Sequence, residues 1–395
     1  MEAARRLGVD LTIASEQPSS FEEARPEALL TLDFEDPERA AQQAREFAGR
    51  YPITAALGVD DDSVVIATAI NAALGRPTNP IGAALAARDK QRQRAALAQH
   101  GVPIPAFSLH HIDDDLTTLA SLAPYPCVIK PLRLSASRGV IRADTPVALV
   151  AAIRRLTAIL RESDESRCRG PAGQFLVEEF VPGYEVALEG LLIEGELHLL
   201  ALFDKPDPLD GPFFEETIYV TPSRHPEREQ TALIACAAAA ARALGLHAGP
   251  VHAELRHNDR GPWLIELAAR PIGGRCSAVL RFGDGVSLEE LVLRHALGLP
   301  IPSLQRERHA AGVMMIPVPG AGVLREVRGV AEARAEPGVD DIVITAHPGQ
   351  SLVPWPEGSR YPGFIFARGE RPADVERVLR AAHGRLTFVL EPHTP

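Results

Sequence analysis

The 395-residue sequence predicts a parallel α/β unit, then a larger α+β segment built from hairpins, then a small α+β tail. Three observations predict this class. Near the start, short apolar runs alternate with helical signals, as βα units do. In the middle, apolar runs come in pairs around tight-turn residues, the mark of antiparallel hairpins. Beyond Ile301 a proline-rich stretch leads to one short helix and one last strand. The expected boundaries are 1–81, 82–301 and 302–395.

In the first unit, "LTIAS" (Leu11–Ser15), "ALLTLD" (Ala28–Asp33) and "ITAALGVDD" (Ile53–Asp61) read as strands. Pro37 to Arg50 reads as a helix, with Asp36 as its N-cap and Pro37 at its first position. "SVVIATAINAALG" reads as a helix ended by Gly75. The chain opens inside a helix, so the strand that usually begins such a unit is expected to be absent.

The middle segment starts with a charged helix, Asp89 to Gly101. Strands are expected over 126–130 and 139–143, with a loop of small residues between them, and a helix from Pro146. "QFLVEEFV" is a strand, and "YEVALEGLLIEGELHLLALFD" a hairpin turning at Glu194–Gly195. A helix over 226–244 leads into a second hairpin, "VHAELRHNDRGPWLIELAAR". The tail contributes "GVMMIPVP", a helix from Pro372 to His383 and the strand "RLTFVL", read as a separate α+β domain.

Composition narrows the function. A net charge of −11 argues against nucleic acid as a partner, because phosphate backbones call for clustered cations. No apolar run reaches the roughly 18 residues that a membrane helix needs. No signal peptide is expected. Cys127, Cys168, Cys236 and Cys276 have neither zinc nor redox spacing, which suits a reducing cytoplasmic setting. Of the 41 basic residues only Lys90, Lys130 and Lys205 are lysines.

Four stretches carry chemistry. In "VIKPLRLSASRGV" a strand ends in Lys130, and a small-residue loop follows, from Ser135 through Ser137 to Gly139. Such a loop lets backbone N–H groups approach an anion. It is no Walker A loop, since the lysine precedes it. In "VEEFVPGYE", Glu178 and Glu179 end a strand before a Pro182–Gly183 bend, with Val181 between and Glu185 opening the next strand. Such a bend exposes backbone groups to a purine edge, and Glu185 can accept ribose hydroxyls. In the second hairpin, Glu254 and Glu266 offer oxygens to a hard divalent cation. With a three-residue loop at 258–260 they are diagonal neighbours on one face, roughly 7–8 Å apart. A two-residue loop would put them on opposite faces. Glu266 also interrupts an apolar run, and a buried acid needs a partner or a metal. Finally, "AARPIGGR" sets Arg270 beside a glycine pair, a compact anion site.

In order and rough spacing these pieces, with Lys90 on its helix, resemble the ATP-grasp superfamily. The resemblance implies ATP and Mg²⁺ (or Mn²⁺) as cofactors. It implies that Lys90 and Lys130 hold the α- and β-phosphates, and that Glu178, with the backbone of Glu179 and Val181, meets adenine. Ser135, Ser137 and Gly139 would close over the phosphates, Glu185 would hold ribose, and Glu254 and Glu266 the metal. Many members carry Glu-x-Asn where this chain has Glu266–Leu267–Ala268, and Ala268 cannot ligate. "IELAARPIGG" and the tail resemble the L-amino acid ligase branch, in which residues matching Arg270 and Gly273 hold phosphate and substrate. Lys205 would touch the γ-phosphate. The implied reaction joins a small carboxylate to an amine through an acyl phosphate, releasing ADP and phosphate. Phe213, Glu216 and His252 are candidates for reading the substrate, and a homodimer is the candidate assembly. Two alternatives stay open: another acyl-phosphate-forming or carboxylating ATP-grasp enzyme, and a nucleotide-binding module without catalysis.

Overall fold

The structure is a computed structural model that describes residues 1–162 and 173–392. Cys168 lies outside the described residues.

The first segment runs α1 (Glu2–Leu7), β1 (Ile13–Ser15), β2 (Leu29–Thr31), α2 (Pro37–Ala48) and α3 (Asp61–Ala73). β1 and β2 pair in parallel. Asp36 caps α2 by accepting from the Glu38 and Arg39 N–H groups, with Pro37 at the first position. The third strand expected over Ile53–Asp61 does not form. Asn71 on α3 binds the Ala56 backbone instead, accepting from its N–H at 2.8 Å and donating to its carbonyl at 2.9 Å. These bonds satisfy the groups that a ladder would use. At Gly58 a Cβ would lie 2.4 Å from the Val64 backbone, so the loop packs flat on the start of α3.

The middle segment runs α4 (Ile81–Arg88), α5 (Lys90–Gln99), β3 (Phe107–His111), α6 (Leu116–Leu122), β4 (Cys127–Pro131), β5 (Ile141–Ala143) and α7 (Pro146–Glu162). It continues with β6 (Gln174–Glu179), β7 (Tyr184–Ile193), β8 (Glu196–Asp204), β9 (Ile218–Thr221), α8 (Glu227–Leu244), β10 (Gly249–Asn258), β11 (Gly261–Ala268) and α9 (Leu288–Ala296). The β7–β8 hairpin turns at Glu194–Gly195, where both residues have positive φ (52° and 84°). That is the geometry of a two-residue turn matched to strand twist.

The tail runs β12 (Ala310–Met315), β13 (Gly322–Arg328), α10 (Val330–Arg334), β14 (Val339–Ile344), β15 (Ser351–Leu352), β16 (Gly363–Gly369), α11 (Pro372–His383) and β17 (Thr387–Glu391). It does not keep to a sheet of its own. β12 pairs with β9, and the large sheet reads β11-β10-β7-β8-β9-β12-β16-β14. Only β15-β13-β17 forms a separate small sheet. The reason lies in "AAGVMM", whose side chains are buried along the whole strand. Such a strand must be covered on both faces.

α8 packs its buried face (Leu233, Ala237, Ala240, Leu244) on one side of β7, β10 and β11. α9 and the turn at 276–279 cover the other side. A second sheet, β3-β6-β4-β5, is backed by α6 and α7 through Leu149, Ile153 and Leu156. The functional residues collect in the cleft between these two sheets.

Candidate active site

β10 and β11 are joined by a two-residue loop, since Asn258 pairs with Gly261. In a regular ladder that loop would set Ile265 opposite Glu254 and turn Glu266 to the far face. A bulge corrects this. Leu255 pairs with Leu264, but Glu254 pairs with Glu266, so Ile265 is the extra residue. The two acids are therefore direct cross-strand partners, not the diagonal neighbours expected from a three-residue loop. The Ile265 carbonyl accepts from Arg94 Nη2 at 2.6 Å. Gln93 bonds both backbone groups of Leu267, at 2.8 and 3.1 Å. One helix face of α5 thus holds the bulge and covers the sheet edge.

Each lysine answers carboxylates in the cleft. Lys90 Nζ lies 2.9 Å from Glu266 Oε1 and donates to the Leu134 carbonyl at 3.2 Å. Burial favours the neutral amine, but Glu266 and Asp61 outweigh it and raise the Lys90 pKa. Lys130 Nζ lies 2.9 Å from Glu178 Oε2. Arg94 Nε donates to Glu178 Oε1 at 2.7 Å. Burial alone would raise the Glu178 pKa, yet Arg94 and Lys130 bring it down to about 2. Lys205 Nζ sits among three acids, 2.7 Å from Glu185, 2.7 Å from Glu216 and 3.2 Å from Glu254.

Around Lys205 the acids diverge. Glu254 is held well below the ordinary range: burial opposes its charge, but Lys205 and His252 more than compensate. Glu216 is raised to about 7 by burial and by the neighbouring Glu254, against the pull of Lys205. Tyr219 donates to Glu216 at 2.5 Å. Two carboxyls this close share a proton more readily than both ionise. Oxygens of Glu185, Glu216 and Glu254 lie within 4.8 Å of one another.

Arg270 is gripped by Asp61 at the start of α3, with Nε to Oδ1 at 2.7 Å and Nη2 to Oδ2 at 3.1 Å. His252, on the face of Glu254, has Nδ1 3.2 Å from the Leu188 carbonyl and Nε2 3.8 Å from Glu254.

Two openings meet here. A narrow slot is bordered by Lys90, Lys130, Glu178 to Val181, Phe214 and Arg256. A cavity of about 1160 Å³ is bordered by Asp61, His252, Arg270, Gly273, Met315 and Tyr361, among others. Ser135, Ser137, Glu216, Glu254 and Glu266 border both.

The loop from Ser135 to Gly139 overhangs this junction. Ala136 and Ser137 have left-handed φ (54° and 55°), unusual for residues with a Cβ. The tail holds them so: Trp355 Nε1 donates to the Ala136 carbonyl at 2.8 Å. Gly139 N–H donates to the Pro356 carbonyl at 2.9 Å, and Arg138 Nε to the Glu357 carbonyl at 3.0 Å.

Several expected residues are already engaged within the protein. Glu185 reaches the slot with both oxygens engaged, by Lys205 and by Arg256 Nε at 2.8 Å. Glu178 is likewise committed to Arg94 and Lys130. The Glu179 N–H donates to the Ala106 carbonyl at 2.9 Å, and the Val181 carbonyl accepts from Arg256 Nη1 at 2.8 Å. Phe213 borders neither opening. Its backbone bridges to Ile141, and its ring lies 4.7 Å beneath the Arg155 guanidinium. Its neighbour Phe214 faces the slot instead. Asp61, Arg94 and Arg256 have no place among the residues expected from sequence. Arg94 had a signal, one helical turn after Lys90, while Asp61 and Arg256 meet partners remote in sequence.

Comparison with known proteins identifies the architecture. Residues 1–78 match the ATP-grasp N-terminal domain family, 123–279 the ATP-grasp domain family, and 314–391 the L-amino acid ligase C-terminal domain 2 family. The chain belongs to the ATP-grasp superfamily. This ATP-grasp chain is similar to the crystal structure of an L-amino acid ligase from Bacillus licheniformis. Their TM-score is 0.79 at 28% identity, covering 99% of this chain and 95% of that one. It is 30% identical over 333 residues to carnosine synthase 1 of Gallus gallus, covering 80% of this chain and 36% of the relative. It is 29% identical over 283 residues to dapdiamide A synthase of Enterobacter agglomerans, covering 68% of this chain and 65% of the relative. It thus spans about a third to two thirds of these curated relatives' lengths. No described helix is long and apolar enough to cross a membrane.

Proposed function

We propose that this chain is an ATP-dependent carboxylate–amine ligase. It joins amino acids, or an amino acid and a related acid, through an acyl phosphate, and releases ADP and phosphate. The observation that carries the reading is the shared border of slot and cavity at Ser135, Ser137, Glu216, Glu254 and Glu266. A phosphoryl donor in the slot meets an acceptor carboxylate in the cavity along that border.

The donor set suits a hard cation: Glu254 and Glu266 face each other and offer only oxygen. They would hold Mg²⁺ or Mn²⁺, with Lys90 and Lys205 as the charges that now balance them. A bound cation would neutralise phosphate oxygens during transfer. Lys90, Lys130 and the loop from Ser135 to Gly139 bind and orient the ATP phosphates. The carboxylate oxygen attacks the γ-phosphorus, the bond to ADP breaks, and an acyl phosphate forms. The amine then attacks the acyl carbon and phosphate leaves. Arg270, oriented by Asp61, and the turn at Gly273 balance charge on the acyl phosphate. Glu216, which borders both openings, would take a proton from the attacking amine. Buried free thiols at Cys127, Cys236 and Cys276 suit the cytoplasm, where ATP is available.

The reading is tested with ATP, Mg²⁺ and a mixture of the common amino acids. ADP and phosphate should accumulate together with a new species at dipeptide mass. AMP and pyrophosphate as products would refute the acyl-phosphate route.

A further inference from the structure

Beneath the turn that carries Arg270 and Gly273 lies a carboxyl that borders neither opening. Glu189, on β7, stands opposite His252 on β10 and Ala201 on β8, with 0% exposure. Its Oε2 accepts from the Ile272 backbone N–H at 3.0 Å. Its Oε1 has no hydrogen-bond partner among the described residues. A buried acceptor left unmatched is destabilising. Leu188 and Leu191, close by on β7, are also fully buried. For packing alone a leucine would serve better at 189 as well. The acid therefore calls for a reason other than packing.

That reason lies in what Ile272 belongs to. Arg270 Nη1 donates to the Pro271 carbonyl at 3.0 Å, and the Cys276 N–H donates to the Gly273 carbonyl at 3.1 Å. Gly274 and Arg275 both have left-handed φ (58° and 55°), and a Cβ at 274 would lie 2.6 Å from the Met315 sulfur. The turn is thus closed on itself and pressed against β12. Pro271 has no N–H to give. The Ile272 N–H joins the turn to the sheet, and it lands on the strand paired with β10, which carries His252 and Glu254.

We propose that Glu189 is a positioning residue for the ligase reaction: through the Ile272 N–H it sets Arg270 and Gly273 against Glu254 and Glu266. The inference rests on the ligase reading above. Burial drives the Glu189 carboxyl towards its neutral form, partly opposed by the Ile272 N–H and by Arg270. A neutral acceptor of the same shape should therefore replace it.

The test compares Glu189→Gln with Glu189→Leu in the full chain. Glutamine keeps an acceptor for Ile272; leucine keeps the bulk and loses the acceptor. With leucine, kcat should fall about 10–100-fold with the KM for ATP unchanged in a chain that still folds, as expected when catalytic groups shift by a fraction of an ångström. With glutamine, kcat should stay within about 3-fold of wild type. Hydrogen exchange in the peptide from Arg270 to Cys276 should quicken with leucine and stay slow with glutamine. Wild-type kcat and exchange in the leucine variant would overturn the inference. If leucine prevents folding, a large kcat loss in a folded glutamine variant with slow exchange overturns it equally. Exchange is read without turnover, so an inactive wild type would refute the ligase reading and leave the Ile272 anchor separately measurable.

Discussion

Glu178 is where the local electrostatics can be read most directly. A fully buried carboxylate is tolerated only when both oxygens are matched, and Arg94 and Lys130 match them. Its pKa drops from 4.5 to about 2. Between those values the unfolded chain binds the extra proton, so this group's contribution to stability rises with pH there. It is fully present above pH 4.5 and is lost as the pH falls through 2. Glu178→Gln removes it. The difference in unfolding free energy between wild type and variant should shrink as the pH is lowered from 4.5. A constant difference across that window contradicts the pairing. Glu266→Gln tests the metal acids: turnover should fall at least about 100-fold with circular dichroism and Tm close to wild type. Full activity in that variant rejects Glu266 as a ligand. Residues of this kind were legible because their types are scarce or out of place: three lysines, and an acid inside an apolar run. Their partners were not. Arg94 meets Glu178 84 positions away, and Asp61 meets Arg270 209 positions away. No local pattern encodes such meetings.

At the scale of elements, the hairpins were legible from period-two patterning and turn residues, and the site depends on a feature that this patterning hides. The Ile265 bulge decides whether Glu254 and Glu266 share a face, and what holds it is an arginine on α5. The strand expected over Ile53–Asp61 failed for a related reason: Asn71, a helix residue, takes the backbone bonds of Ala56. Side chains from elsewhere settled both cases. The phosphate-loop candidate is likewise held by a remote element, the 355–357 segment of the tail. Trp355→Phe keeps an aromatic ring, though a smaller one, and removes the bond to the Ala136 carbonyl. The loop then loses one of its tethers, and a neutral hydrogen bond contributes about 1 kcal/mol. The KM for ATP should rise about 5-fold, alongside a modest fall in Tm from the smaller buried ring. An unchanged KM would separate the clasp from nucleotide binding.

Across the whole molecule, three stretches of chain close one cavity. α3 brings Asp61, the hairpin sheet brings Glu254, Glu266 and Arg270, and the tail brings Met315 and Tyr361. Read from sequence, the tail was a domain apart, because its prolines and short elements mark a break. Its fully buried β12 instead continues the central sheet, which places tail residues on the cavity wall. In the proposed reaction a carboxylate in this cavity is activated by phosphoryl transfer. Amino acids labelled with oxygen-18 in the carboxylate test it most directly, with ATP and Mg²⁺ present and the released phosphate analysed by mass. One labelled oxygen should appear in phosphate for each amide bond formed. Amide formation with unlabelled phosphate, or with label in AMP, would exclude an acyl-phosphate route.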